Sequence, residues 1–506
     1  MKPARAAAGF VGAALAAGAW HILRNAAPPA WDDAWYLEIS FRLFQALSHG
    51  PAAFAREYIS AFHFKAPLIS LLPLPLYAFA GPGERIAVWT SLAAHGATCA
   101  LVFQAARSLW PEHPRRDEIA ALSACVVALT PLLYGLSRLF LVESILTALV
   151  AASIWRLAAK PGRRYGVELG ALLGFGMLAK VIFPLYLAGP VWLRRRQLLP
   201  FAGMIVIVGA LVAGTWYAFN LPYVLGFAWS AGFGRVAKDY ARHASGPLAH
   251  LAGFVGTAAG QALSWPLSAA GTAVAAAAAA AARRVRLDEG SRLVLAWTAP
   301  LLVLAVGVNQ EVRFVAPFLP ALALLAARAA MSFDARSARR AAAAALLAAG
   351  SFVFVRQTFL FPKSEALAYC GAPSADTGWD RAALVEQLAK DAGAGATAAV
   401  ALEHPLLNAN NLSSLAAARR LPLRFVNVIA GGNTLEDALI RLKDKGADRL
   451  ILVTGVPESQ LPAFANGPDA GLAAAVASGR LPARETGRVA LAPGITAVVY
   501  RIAGGM

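Results

Sequence analysis

Two adjacent carboxylates, Asp32 and Asp33, open an aromatic segment that also contains Tyr36. A carboxylate within hydrogen-bond reach of a hydroxyl group can take its proton and turn it into a nucleophile. Aspartate ahead of an apolar-periodic run is equally a signal for the start of a helix, so the pair could instead cap a helix that begins near Ala34. From its position alone, Asp33 fits three roles: helix cap, general base or metal ligand.

Isolated ionisable residues near the ends of apolar runs form a second group of candidates. A charge at the centre of a spanning helix costs about 2.5–3.5 kcal/mol unless it is paired or hydrated. The group mixes cations with a carboxylate, as a site that handles a phosphate and a hydroxyl group requires, and it consists of Lys65, Arg138, Glu143, Lys180 and Arg313. The alternatives are a lysine that reaches the membrane interface at position 65 and interhelical ion pairs at positions 138, 143 and 313. A further set of cations is interpreted as a hydrated loop outside the site: Arg235, Lys238 and Arg242.

Histidines raise the question of a metal site. His63 stands close to Lys65, and His243 and His250 follow in a later loop, but the sequence contains no HxxH or Asp-x-Asp pair. Each histidine is therefore interpreted as a polar loop residue. EHPLLNANN at 403–411 follows a strand-like run, where open α/β sheets often bind ligands, but its Asn and Pro content favours a turn.

The elements that must position these residues are mainly membrane helices. The chain has 506 residues, of which 58% are hydrophobic and 15% charged, and its mean hydropathy is +0.56. Uncharged runs near the 20 residues of a spanning helix recur up to Leu360, whereas residues 361–506 have a soluble composition. We therefore predict a polytopic α-helical body over residues 1–360, followed by a small C-terminal α/β domain over residues 361–506.

The net charge of +18 is distributed as short basic clusters between the apolar runs. This distribution favours positive-inside topology over nucleic-acid binding. The first run resembles a signal peptide, but it continues to Leu23 and is interpreted as an uncleaved span. The clusters then predict a cytoplasmic N-terminus, an external loop at 24–65, a short proline-rich interfacial or re-entrant segment at 66–81, and about eleven spans in all. The C-terminal domain lies outside an inner (cytoplasmic) membrane in this topology, in the periplasm or extracellular space.

The alternating pattern of the tail predicts a partly parallel sheet with helices between its strands. The strand-like runs lie at 398–402, 423–429, 449–455 and 496–502, and the helical patterns lie near 379–391, 411–419 and 434–446.

The first external loop resembles that of the GT-C membrane glycosyltransferases, in the branch of the protein O-mannosyltransferases and the lipid A aminoarabinose transferases. WDDAWYLEISFRLF at 31–44 is similar to a loop that opens with an Asp-Glu pair and continues with a tyrosine. Asp32 matches the family aspartate, Asp33 replaces the glutamate, and Tyr36 matches the tyrosine.

Four further segments resemble that family in the same order. FHFKAPLISLLPLPLYAFAG at 62–81 is similar to its Lys-Pro-Pro-Leu segment, with Lys65 retained, and LSRLFLVESILTAL at 136–149 places Glu143 where aspartate is usual. Residues 169–193 resemble its Gly/Leu-rich hairpin with a central lysine. VRFVAPFLPALALL at 312–325 resembles a late span that opens with an arginine.

The resemblance implies an inverting glycosyltransferase that moves a sugar from a polyprenyl-phosphate carrier to an acceptor hydroxyl at the outer membrane face. It implies Asp32 as the base, with Asp33 beside it. The residues that it places around the substrate and phosphate are Tyr36, Lys65, Arg138, Glu143, Lys180 and Arg313. Some family members use a divalent metal ion and others do not, and the sugar and acceptor are not implied. The alternative is a transporter or flippase of lipid-linked saccharides, which would place its charges nearer the bilayer midplane than they lie here.

Overall fold

The apolar runs of the sequence form α-helices in the computed structural model, which describes residues 3–234, 237, 246–281, 287–361, 367, 369–375, 378–392, 395–429, 434–461 and 469–503. Several sequence interpretations fall outside these described residues: those for Arg235, Lys238, Arg242 and His243, and that for the basic cluster at 283–286.

The chain divides into two compact units. The first comprises Met1–Arg24, Tyr58–Leu72 and Val88–Pro373. The second comprises Asn25–Glu57, Pro73–Ala87 and Ser374–Met506. The acidic pair of the external loop therefore belongs to the same unit as the C-terminal tail, whereas Lys65 belongs to the first unit.

The α-helices described before residue 361 follow one another closely. They are α1 (Pro3–Arg24), α2 (Asp32–Ser48), α3 (Pro51–Ser60), α4 (Leu68–Leu71), α5 (Leu74–Ala80), α6 (Glu84–Leu109), α7 (Arg116–Leu129), α8 (Pro131–Leu136), α9 (Val142–Ala158), α10 (Tyr165–Ala179), α11 (Phe183–Leu198), α12 (Ala202–Gly232), α13 (Pro247–Thr257), α14 (Trp265–Ala281), α15 (Glu289–Thr298), α16 (Leu301–Val306), α17 (Leu319–Ala330) and α18 (Arg336–Val355). A 3₁₀ helix (Val312–Phe318) precedes α17, and π-helical turns follow α13 (Ala258–Ala262) and α18 (Arg356–Leu360).

Six helices among the described residues are long and apolar enough to cross a membrane, or seven if one bent pair is counted as a single span. The expected number of eleven spans is not confirmed. Proline and glycine divide several of the predicted spans into shorter helices; for example, Pro131 starts a new helix after α7. The helix α10 has only 15 residues, which is shorter than the bilayer core requires.

Two interruptions divide apolar runs of the sequence, one beside Lys180 and one before Trp265. The helix α10 ends at Ala179 and α11 begins at Phe183, so that Lys180 lies at the break between them. The helix preceding Trp265 and the Ala-rich helix α14 form the bent pair, with an angle of 106° between Pro247–Ala262 and Trp265–Ala281. The proline-rich segment at 66–81 contains only the short helices α4 and α5.

Small residues allow α10 and α12 to approach closely. A Cβ atom at Gly170 would lie 2.8 Å from the carbonyl oxygen of Ile205, and one at Gly174 would lie 2.5 Å from Cβ of Val212. Both distances are too short for a side chain, so the two glycines are required for this contact. Their packing fixes the end of α10, where Lys180 stands.

The second unit contains a five-stranded sheet with the order β2-β1-β3-β5-β4. Its strands are β1 (Ala396–Val400), β2 (Leu423–Asn427), β3 (Arg449–Thr454), β4 (Ala483–Ala492) and β5 (Ile495–Ile502), and its helices after residue 374 are α19 (Arg381–Ala392), α20 (Ala409–Ala418), α21 (Leu435–Asp444) and α22 (Asp469–Ala477). Strands β2, β1 and β3 run parallel, whereas β5 runs antiparallel to both β3 and β4. The predicted partly parallel α/β layer is confirmed, and β4 and α22 are additions to it.

Apolar cores lie on both faces of this sheet, because successive residues of a strand point to opposite sides. Val400 and Ile451 pack with α19 and α20 on one face, and Ala399 and Leu450 pack with α21 and α22 on the other. The external-loop helix α2 joins this unit, where the side-chain amide of Gln45 donates a hydrogen bond of 2.5 Å to the carbonyl of Ala417 in α20.

Candidate active site

A buried ion pair in the first unit joins Glu143 to Lys180. Glu143 lies in the first turn of α9, where the helix dipole stabilises a carboxylate, and its side chain is only 2% exposed. Lys180 follows the last residue of α10, and its Nζ lies 2.9 Å from Oε1 of Glu143. The same ammonium group lies 4.4 Å from the centre of the Phe314 ring. Together these contacts hold the lysine head group in one place.

Arg313 belongs to a second polar group around the 3₁₀ helix. Its Nε lies 3.5 Å from Oε1 of Glu311, and its guanidinium lies 5.9 Å from the centre of the Tyr369 ring. The hydroxyl of Tyr369 donates a 2.8 Å hydrogen bond to the same Glu311 oxygen. Tyr369 has a φ of +63°, a conformation that non-glycine residues rarely adopt and that packed surroundings must maintain.

The loop before Lys65 is hydrogen-bonded to α12 and packs against it. The amide nitrogen of Asn220 donates to the carbonyl of Ile59 at 2.8 Å, and Nδ1 of His63 donates to Oδ1 of Asn220 at 3.0 Å. The Phe64 ring lies 4.5 Å from that of Phe227. Phe62 and His63 both have φ near +58°, so the loop is held in a strained path immediately before Lys65. His63 therefore acts as a polar loop residue that bonds to Asn220.

Electrostatic forces connect these groups of the first unit. The charge of Glu143 interacts with Arg313 as well as with Lys180, and the charges of Arg313 and Lys65 both act on Lys180. Three cations, Lys65, Lys180 and Arg313, thus interact with the buried carboxylate of Glu143 or with one another. Such a cluster can stabilise a phosphate whose negative charge grows during a reaction.

Arg138 is not joined to that cluster by any contact described in the structure. It is 5% exposed and lies in the turn between α8 and α9, where its guanidinium stacks 4.9 Å from the centre of the Tyr134 ring. Its Nη2 donates a 2.7 Å hydrogen bond to the hydroxyl of Thr358. These contacts pack the turn against the end of α18 and do not form the interhelical ion pair considered from the sequence.

The acidic pair lies in the second unit, in the first turn of α2. The helix begins at Asp32, two residues before the position considered in the sequence analysis, and Trp31 occupies its N-cap. Neither aspartate is therefore the N-cap residue. Asp33 is buried at 8% exposure and Tyr36 at 6%, whereas Asp32 is only partly buried. Asp32 is consequently the more accessible of the two carboxylates.

Three members of this arrangement were not among the residues expected from the sequence: Glu311, Phe314 and Tyr369. Glu311 and Phe314 flank Arg313 in the chain, so the charge and the aromatic ring beside that arginine were visible signals. Tyr369 carried no such signal, because it follows the last predicted span in an irregular segment.

Across the described part of the chain, no group of three His, Cys, Asp or Glu side chains converges. The Nε2 atom of His250 lies 3.0 Å from the carbonyl oxygen of Gly307 and 2.8 Å from the side-chain nitrogen of Gln310.

Solved structures of membrane transferases resemble this chain over nearly its whole length. ArnT from Cupriavidus metallidurans, in the apo state and bound to undecaprenyl phosphate, is 14% identical with a TM-score of 0.63, and the match covers 97% of each chain. The Archaeoglobus fulgidus oligosaccharyltransferase, in complex with Zn and sulfate, is 13% identical with a TM-score of 0.56 over 87% of this chain and 67% of that one. The archaeal oligosaccharyltransferase AglB from the same organism, with an inhibitory peptide and a dolichol-phosphate, is 12% identical with a TM-score of 0.54, covering 88% and 69%.

No protein-family model and no curated protein sequence matches the chain. The likeness to these solved structures confirms, at the level of the fold, the resemblance predicted from the loop motifs. The chain has the fold of the GT-C membrane glycosyltransferases.

Proposed function

We propose that this protein is an inverting glycosyltransferase that moves a sugar from a polyprenyl-phosphate carrier to an acceptor hydroxyl at the outer face of the membrane. The observation that carries the proposal is the cationic cluster of Lys65, Lys180 and Arg313, held by Glu143 and Glu311. The likeness to a transferase solved with undecaprenyl phosphate supports the choice of carrier. We place the protein in the inner membrane, with residues 361–506 in the periplasm or extracellular space.

The reaction joins the acceptor oxygen to the anomeric carbon of the sugar. The bond between that carbon and the phosphate oxygen breaks, and its electron pair stays on the phosphate. The carrier phosphate thereby goes from one negative charge as a diester to two as a monoester. Lys65, Lys180 and Arg313 stabilise the additional charge, which accelerates the step because the transition state already carries part of it.

The acceptor hydroxyl must lose its proton as it attacks. We assign this proton to the carboxylate of Asp32, which is more accessible than Asp33, and place Asp33 and Tyr36 beside it as groups that orient the base and the substrate. Attack from the face opposite the phosphate inverts the anomeric configuration.

Covalent transfer distinguishes this function from the movement of intact carrier lipids. Purified protein is reconstituted in nanodiscs with a panel of radiolabelled undecaprenyl-phosphate sugars and a cell-envelope extract as the source of acceptor. We expect release of undecaprenyl phosphate together with label in a new product. A transporter would leave the carrier and its sugar joined, and that outcome would refute the proposal.

Two cation variants test the phosphate role within the same assay. Lys65→Ala and Arg313→Ala should each reduce kcat/KM by about 10–10³-fold, because each removes a charge that stabilises the leaving phosphate. Lys160→Ala, at an exposed position between α9 and α10, is the matched control and should leave the rate unchanged. Wild-type rates in both test variants would return these residues to an interface-anchor role.

A further inference from the structure

The residue before the acidic pair is held in a strained conformation. Trp31 has a φ of +50° and a ψ of −119°, and it occupies the N-cap of α2 without a side-chain capping bond. A bulky residue in the left-handed region costs of order 1–3 kcal/mol and persists only when its surroundings maintain it. Because Asp32 follows directly, the backbone direction at Trp31 sets where the first turn of α2 points its carboxylates.

A carboxylate of the tail domain bonds to the side chain of Trp31. The indole Nε1 of Trp31 donates a 2.8 Å hydrogen bond to Oε2 of Glu403, within the second unit. Glu403 is only 7% exposed, and its burial raises the pKa of the carboxyl to about 7. A buried carboxyl group is costly to retain unless a donor satisfies it, and the indole N–H is such a donor.

The segment that carries Glu403 is itself rigid. The His404 ring stacks on Trp379 with the centroids 4.5 Å apart, and Asn408 and Asn411 form a capping box at the start of α20. This segment is the Asn- and Pro-rich turn considered from the sequence, and the structure shows it as a turn whose polar groups bond to one another. From this segment the Glu403 carboxylate reaches the indole of Trp31.

We propose that Glu403 is a positioning residue for the acidic pair: it fixes Trp31 and thereby aims Asp32 and Asp33 at the acceptor. This inference rests on the proposed function, in which Asp32 takes the acceptor proton. It gives the C-terminal domain a part in catalysis through one hydrogen bond, with no contact between Glu403 and the substrate.

Steady-state kinetics can separate positioning from simple stabilisation. Trp31→Phe removes the donor but keeps the ring, and Glu403→Leu removes the acceptor; each should lower kcat by about 10–100-fold, since a misplacement of about 1 Å can cost that much. The KM for the carrier should change less than about twofold. Glu403→Gln keeps an acceptor oxygen and should retain most of the activity. The double variant Trp31→Phe/Glu403→Leu should be no slower than either single one, because both break the same bond.

Gln45→Ala provides the matched control, because it removes a hydrogen bond from α2 to α20 in the same unit and lies away from the acidic pair. We expect its kcat within about threefold of wild type. If Gln45→Ala lowers kcat as much as Trp31→Phe does, or if Trp31→Phe is as active as wild type, the inference is wrong. If Glu403→Leu fails to fold, the kcat values of Trp31→Phe and Glu403→Gln still test the positioning role.

An NMR measurement that does not depend on activity tests the Trp31–Glu403 hydrogen bond independently of the proposed function. In protein labelled with ¹⁵N-tryptophan, the Trp31 indole signal is the one missing from Trp31→Phe. It should move in Glu403→Leu and stay in place in Gln45→Ala. Full activity in both Asp32→Asn and Asp33→Asn would remove the base role while leaving the hydrogen bond observed, whereas an unmoved indole signal would refute the bond itself.

Discussion

Replacing Lys180 by methionine should harm both stability and transfer, and the two effects can be separated. The ammonium and carboxylate of the Glu143–Lys180 pair lie 2.9 Å apart, and the Glu143 side chain is 2% exposed. Their attraction is about 6 kcal/mol at an effective dielectric constant of about 20, of which desolvation of the two groups consumes a part. Lys180→Met leaves the buried carboxylate without its nearest cation, so we expect a loss of about 3–5 kcal/mol in the free energy of unfolding.

The double variant Glu143→Gln/Lys180→Met removes both charges and most of the desolvation cost. Its free energy of unfolding should therefore return to within about 1–2 kcal/mol of wild type. Transfer should stay roughly 10²–10³-fold below wild type, because the phosphate has still lost a cation. Denaturant unfolding in detergent and turnover of the labelled carrier measure the two quantities on the same preparation.

A second ion pair between the same two helices provides the control. Arg156 of α9 and Glu168 of α10 lie 2.6 Å apart, but Glu168 is 44% exposed. Glu168→Gln should change the free energy of unfolding by less than about 1 kcal/mol, since solvent screens this pair. If the double variant regains wild-type transfer together with its stability, Lys180 has only a structural role and the phosphate assignment fails.

The remaining predictions concern the base, the helix contact and the tail. Asp32→Asn should cut transfer by roughly 10²–10⁴-fold with unchanged membrane insertion, and Asp33→Asn should be milder; the reverse order in kcat would show that the wrong carboxylate was assigned. Gly174→Ala should lower the free energy of unfolding by about 1–3 kcal/mol, because the added Cβ would lie 2.5 Å from its neighbour on α12, whereas Gly214→Ala, with open space around it, should not. For Glu403, the folded-state pKa of about 7 exceeds the ordinary value of 4.5, so its contribution to stability is complete below pH 4.5 and is lost as pH rises through 7. As the pH rises from 5 to 8, the free energy of unfolding of Glu403→Gln should therefore increase relative to that of wild type, by on the order of 3 kcal/mol. Thermal or denaturant unfolding measures this difference. A difference between variant and wild type that does not change with pH would contradict the raised pKa.

The sequence pattern of short segments predicted one helix break and four strands. Lys180 was expected at the turn of a hairpin because basic clusters flank residues 166–193 on both sides, and a break is present between α10 and α11. Strands β1, β2, β3 and β5 were expected because each is a short apolar run rich in β-branched residues or alanine. Strand β4 was missed because it is an edge strand with a glycine and several charges, and it interrupts its own register at two positions.

Contacts between distant parts of the chain could not be predicted in this way. An arginine that ends an apolar run has the same local sequence whether it faces a phosphate or packs on tyrosine, and Arg138 packs on Tyr134. The N-cap residue of α2 is Trp31, whose indole bonds to a residue 372 positions away. The number of spans stays a prediction, because composition alone does not show where proline divides an apolar run into short helices.

The pairing of Trp31 with Glu403 also imposes an order on biosynthesis. The two residues are separated by 372 positions, and ribosomes add about 5–20 residues per second, so about 20–75 s pass between the synthesis of one and of the other. During that interval every described helix from α2 to α18 is made, while Trp31 lacks its hydrogen-bond partner in the tail. On the positioning role proposed for Glu403, we expect the protein to become active only after the tail has left the ribosome and folded.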